Sequence, residues 1–184
     1  MTRMAKTEGW VDGIVVSGGE PCLNPSIIDL LGFLRNYERD IKIHSNGSKP
    51  EVLEDIIFRN LADCVALDYK TQHSRIREVS QVDISPEAIK LSFNHVRHSE
   101  REREYHTTIC PAFLSLEDLK EMAEDLDPDG WWFLQKYNPE DVLNLEKAGT
   151  ETLSDEEFMT WAREVKKIRG KIRVSGVSSG AAIL

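Results

Sequence analysis

Apolar positions along this chain switch repeatedly between a compact run and a helical spacing. The run "GIVVS" (13–17) predicts a buried strand that ends on two glycines. Behind Pro25, the residues Ile27, Leu30, Leu31 and Leu34 recur at helical spacing. A second strand, "IKIHS" (41–45), is closed by the turn signal "NGSKP", and "PEVLEDIIFRNL" (50–61) follows with Val52, Leu53, Ile56 and Ile57 on one helical face. "DCVALDYK" (63–70) reads as a third strand, and "SPEAIKLSFNHVRHS" (85–99) opens on the Ser-Pro-Glu of a helix start. "EYHTTICP" (104–111) is a fourth strand, followed by the helix "SLEDLKEMAEDL" with a capping box at Ser115 and Asp118. "WWFLQKY" (131–137) is a fifth. An irregular polar stretch, the helix "SDEEFMTWAREVKKI" and a last short strand, "KIRVSG", complete the order. Strands spaced by helical segments imply parallel βαβ units, so the fold class is α/β, as a barrel or a doubly wound sheet.

Composition narrows the function more than the fold. At 184 residues the chain is expected to form a single domain over 1–184 with a core of its own. A net charge of −9 argues against nucleic acid as a partner, because phosphate would be repelled. No segment approaches the roughly 18 apolar residues of a membrane helix, and "MTRMAKTEGWVDG" lacks the apolar run of a signal peptide, so a cytoplasmic protein is expected. The three cysteines, Cys22, Cys64 and Cys110, are dispersed, odd in number and free of any CxxC or CxxxCxxC spacing. They suggest neither a disulfide framework nor a metal site. The charged run "HSEREREYH" (98–106) is expected at a solvated helix end and loop.

In either architecture the working face lies where the carboxyl ends of the strands meet their loops. The residues expected there are Ser17-Gly18-Gly19-Glu20-Pro21, His44-Ser45-Asn46-Gly47, Asp68-Tyr69-Lys70, Thr107-Thr108 with Cys110-Pro111, and Gln135-Lys136-Tyr137-Asn138. Strand interiors are expected to be Val, Ile, Leu and Ala. Glycines at a strand end let a ligand approach the backbone, and Gly18-Gly19-Glu20 would suit an ammonium group; a plain tight turn is the other reading. Asp68 and Lys70 are two apart and share one face of a strand. They could form an ion pair or hold the opposite charges of a zwitterion.

Taken together, "VDGIVVSGGEP", "IKIHSNGSKPEVLEDII", "DCVALDYKT", "YHTTICPAFLSLEDL" and "WFLQKYNPE" resemble the consecutive landmarks of radical SAM enzymes. The likeness is closest to the activating proteins of anaerobic ribonucleoside-triphosphate reductase, with pyruvate formate-lyase activase more distant, and it runs from Val11 to Val174. It implies an incomplete (βα)₆ partial TIM barrel, reductive cleavage of S-adenosylmethionine, and a glycyl-radical enzyme and an electron donor as partners. On the family pattern, Gly18, Gly19 and Glu20 face the methionyl ammonium, and Asp68 and Lys70 the methionyl carboxylate side. Ser45 and Asn46 belong to the SNG turn beside them, and Gln135 approaches the ribose. His44-Ser45 stands where the family carries Asp-Thr or similar, a departure that weakens a cation site there.

The larger departure is at the beginning. The family's first strand leads into a CxxxCxxC loop that holds a [4Fe–4S] cluster, and "GIVVS" corresponds to the second strand. The resemblance therefore implies that the first βα unit and its cluster cysteines are absent, so that this chain alone would be inactive. The expectation is a chain truncated at the N-terminus, with five parallel strands and a short C-terminal one. The edge beside "GIVVS" would be open, and "MTRMAKTEGW", helical at best, would leave it uncovered. A cluster-free remnant that binds a ligand or partner, or another α/β enzyme with a Gly-Gly ligand site, are the other readings.

Overall fold

The computed structural model describes residues 12–80, 83–141, 148–178, 180 and 182–183. Six parallel strands form one sheet: β1 (Gly13–Val16), β2 (Asp40–Ser45), β3 (Cys64–Asp68), β4 (Glu102–Ile109), β5 (Trp131–Lys136) and β6 (Ile172–Ser175). A two-residue β7 (Ala182–Ile183), which the sequence did not suggest, pairs antiparallel with β6. The helices are α1 (Ile27–Arg35), α2 (Pro50–Phe58), α3 (Ile76–Val79), α4 (Pro86–Arg97), α5 (Leu116–Asp125) and α6 (Asp155–Lys166).

Strand order decides between the two architectures left open by the pattern. The strands lie in chain order, β1 to β7, with no switch point. Right-handed crossovers that always step in the same direction place every helix on one face of the sheet, which is barrel construction; a doubly wound sheet must reverse. The core lies between that face and the helices, where Ile41, Ile43, Val65, Leu67, Trp132, Leu134, Ile172 and Val174 meet Leu31, Leu53, Ile56, Leu119, Met122, Phe158 and Val165. Local chemistry starts the helices where expected. Ser85 caps α4 through Glu87 N and Ala88 N, and Ser115 and Asp118 form the capping box of α5. Ser154 and Glu157 form a second box on α6. α1 begins at Ile27, two residues after Pro25, because Pro21–Leu23 forms a separate 3₁₀ turn first.

Two expectations are corrected. Glu102 and Arg103, expected in a solvated loop, already belong to β4, whose alternation buries Tyr105 and turns Glu104 and His106 to the other face. That other, concave face is not lined by Val, Ile, Leu and Ala alone. It carries Lys42, His44, Asp68, Glu104, His106, Gln135, Arg173 and Ser175 beside Ala66, Trp131 and Phe133, each alternating with a core residue. A period of two hides such a face, because core and concave residues mix in one run. At the opposite border, β1 pairs with β2 and with no other strand among the described residues. "MTRMAKTEGW" lies outside them.

Candidate functional site

At the carboxyl end of β1 the chain turns through Gly18 (φ 100°) and Gly19 (φ 54°), backbone that favours glycine. A Cβ on either would meet no atom within 4 Å, so the turn is open on its outer side. Glu20, which follows, ties two loops together. Its Oε1 accepts from Cys22 N (3.1 Å) and Ser45 Oγ (2.9 Å), and its Oε2 accepts from Asn46 N (2.6 Å). Ser45 Oγ in turn accepts from Gly47 N (3.0 Å), and Gly47 O accepts from Ser92 Oγ (2.7 Å). The GGEP turn, the SNG turn and α4 are therefore one hydrogen-bonded unit. Ser45 is buried, and its hydroxyl serves this unit.

His44, two residues before Asn46, opens a cavity of about 440 Å³ on the concave face, within the usual size of a small-molecule site. Asp68, Lys70, His106, Thr108, Phe133, Gln135 and Ser175 line it with His44. Of the expected site residues, Asp68, Lys70 and Gln135 are thus brought together in the cavity. Gly18, Gly19, Glu20, Ser45 and Asn46 are not among its lining residues; they form the pair of joined turns, the second of which begins at Ser45, next to His44 in the chain. Lys70 Nζ lies 3.3 Å from Asp68 Oδ2, so the ion-pair reading of these two holds, and both stay about half open to solvent, at 45% and 40% exposure. Tyr69 between them is anchored in the core: its N–H donates to His106 O (2.8 Å) and its hydroxyl to Asp125 Oδ2 (3.0 Å). That anchor holds Asp68 and Lys70 toward the cavity.

The residues not foreseen as site residues are His106, Phe133 and the charges beneath them. The His106 and Phe133 rings stack 4.6 Å apart and nearly parallel, and His44 meets His106 at 5.0 Å across Ala66, whose small side chain leaves them room. Glu104 accepts from Lys42 Nζ (3.1 and 3.0 Å) and lies 3.0 Å from His106 Nε2. Burial pushes the Glu104 carboxyl up, but bonds from His106 and Lys42 outweigh it and hold it at about 2. Burial pushes the His44 imidazole below its usual value, and His106 and Lys42 act in the same direction. The every-second-residue pattern His106-x-Thr108 and Phe133-x-Gln135 was the available signal, and it is legible only once the strand face is known.

The cysteines do not fit an iron–sulfur cluster. Cys22 sits in the 3₁₀ turn after β1, Cys64 begins β3 at the opposite end of the sheet, and Cys110 follows β4 with its Sγ against Ala148 O. All three are buried and free, and burial pushes the Cys22 and Cys64 thiols up to about 12, far from the thiolate a cluster needs. Among the described residues no group of three or more His, Cys, Asp or Glu could hold a metal ion, and no helix is long and apolar enough to cross a membrane.

The donor set suits S-adenosylmethionine better: an open glycine turn, and a polar cavity with a cation, a carboxylate and stacked rings. The solved domain of pyruvate-formate lyase-activating enzyme from Bacteroides vulgatus superposes with a TM-score of 0.70, covering 90% of this chain and all of that one at 17% identity. Archaeal TYW1 superposes with a TM-score of 0.66 over 94% of this chain and 56% of its own, at 14% identity. The chain shares the fold of these two solved structures. A Methanocaldococcus jannaschii protein that carries the name of a glycyl-radical enzyme activating enzyme is 28% identical to this chain over 142 residues. The match takes in 74% of this chain and 59% of that protein, so the chain spans well under two thirds of its relative's length. No protein-family model matches it.

Proposed function

We propose that this chain is the S-adenosylmethionine-binding part of an activase that acts on a glycyl-radical enzyme, an anaerobic ribonucleoside-triphosphate reductase in the first instance. The observation that supports this reading is the Glu20 clamp, which ties an open glycine turn to the turn that follows His44, a lining residue of the 440 Å³ cavity. Bound S-adenosylmethionine supplies a sulfonium carbon–sulfur bond that one electron can break. The residues of this chain bind and orient it. Carbonyls of Gly18 and Gly19 face the methionyl ammonium, with Glu20 holding their turn in place. Lys70, exchanging Asp68 for the ligand, meets the methionyl carboxylate, and Gln135 approaches the ribose. Ser45 and Asn46 keep the neighbouring turn in register. No cluster-ligand role is assigned to Cys22, Cys64 or Cys110, and on this reading the chain alone binds but does not cleave. The buried cysteines favour one further reading, a cluster-free module that holds the same ligand.

Calorimetry with S-adenosylmethionine tests the site. Wild-type chain should bind weakly. Lys70→Ala removes a charged contact of about 1.5–3 kcal/mol and should weaken binding about 10- to 150-fold. Gly19→Asn is the sharper probe, because Asn tolerates the left-handed φ of 54° while adding a side chain on the open side. It should melt within a few degrees of wild type and lose at least tenfold in affinity. Wild-type affinity in Gly19→Asn would show that the glycines serve the turn alone.

A further inference from the structure

Among the described residues the lysines of the concave face have carboxylate partners, and its arginine does not. Lys42 pairs with Glu104 and Lys70 pairs with Asp68. Arg173, on the same face of β6, has no carboxylate among the described residues. Its guanidinium lies over the Trp131 ring, 4.5 Å from the centroid, and 5.5 Å from that of Phe133, and its Nε is buried without a hydrogen-bond partner. Stacking on two rings fixes a guanidinium in orientation but leaves its donors unspent. A half-buried cation without a counter-charge is costly, and removing it would be easy for a fold that did not use it.

Its position says what it can meet. Arg173 stands directly across from Phe133 in the β5–β6 register, and two residues before Ser175, which lines the cavity. Residues two apart on a strand are about 7 Å apart, so Arg173 lies that much below Ser175, level with Phe133 at the lower wall of the cavity. The S-adenosylmethionine carboxylate is provided for at the rim by Lys70. A second anion at the lower wall must therefore come from a second guest on the concave face, and the macromolecule an activase admits is the polypeptide it modifies. We infer that Arg173 is the anchor for a carboxylate of that polypeptide, an acidic side chain or a chain terminus, bound through the planar face of donors that the rings leave free. The inference rests on the reading of the adjoining cavity as the S-adenosylmethionine site.

The test uses the full chain with ¹⁵N-labelled arginine side chains, titrated with the peptides Ac-Gly-Gly-Glu-NH₂ and Ac-Gly-Gly-Gln-NH₂ and with acetate. The acidic peptide should move the Arg173 Nε signal and bind about tenfold more tightly than its neutral partner, the worth of one charged hydrogen bond. Arg173→Gln should abolish the difference between the two peptides. Arg173→Lys, which keeps the charge but not the fork, should retain part of it. S-Adenosylmethionine affinity should stay within twofold in both variants. Equal binding of the two peptides by the wild type would overturn the inference, as would an undiminished preference in Arg173→Gln. Acetate matching the acidic peptide would point to a small carboxylate and reject a polypeptide. A wild type that prefers the acidic peptide but fails to bind S-adenosylmethionine would sink the function proposed above and leave Arg173 as a carboxylate site, so the two failures are distinct.

Discussion

Glu20 shows how much one side chain can decide. A carboxylate beside an open glycine turn invites a ligand-binding reading, yet its two oxygens already accept three protein donors, from Cys22, Ser45 and Asn46. Removing it leaves the buried Ser45 hydroxyl short of a partner and frees two backbone N–H groups, each worth roughly 1 kcal/mol or more. Glu20→Ala should therefore destabilise the chain by about 2 kcal/mol in urea unfolding, and the Asn46 amide should lose most of its protection from hydrogen exchange. A stability change below about 0.5 kcal/mol would mean that the clamp is not a structural element. At Lys70 the reverse holds: its ion pair with Asp68 is open to solvent and contributes little, so it can be exchanged for a ligand.

Among the elements, β1 is the most exposed to accident. It pairs on one side only among the described residues, and Val15 on its concave face is 57% exposed. A short apolar edge strand templates association with other chains, and a charge on it blocks that pairing. Val15→Lys should lower light scattering during concentration while leaving the unfolding free energy within about 0.5 kcal/mol. Unchanged scattering would place the sticky surface elsewhere. The strands themselves were readable because parallel strands covered by helices carry apolar runs between turn signals, as at "GIVVS" and "DCVALD". Helix starts were readable from Ser85, Ser115 and Ser154, whose hydroxyls have a local job. What stayed hidden was anything set by the crossing of strands. That His44 reaches His106 over Ala66, or that Phe133 stacks on His106, depends on register between strands far apart in sequence. Gly18, Gly19, Asp68, Lys70 and Gln135 could be placed from the sequence because each sits at or next to a strand end, where position along the chain already fixes position in the fold.

The whole molecule is a sheet with two unlike sides, and acid should separate them. Lys42 on β2 reaches Glu104 on β4 across β3, and the carboxylate is only 15% exposed. Its folded value of about 2 lies below the usual 4.5 of a glutamate, so its contribution is present above about pH 4.5 and is lost as pH falls toward 2. That loss amounts to up to about 3 kcal/mol, and Glu104→Gln should flatten the urea-midpoint profile between those limits. An unchanged acid limb in the variant would assign it to other carboxylates. The division of the sheet also governs how such a protein can change. Apolar cohesion is concentrated behind the strands, against the helices, while the concave side holds its shape through a few charges and rings. Substitutions at Thr108, Gln135, Ser175 or Arg173 remove little of the packing that keeps the chain folded. The concave side is thus free to drift with whatever it must recognise, and one inherited scaffold can be re-addressed to new clients by rewriting every second residue of its strands.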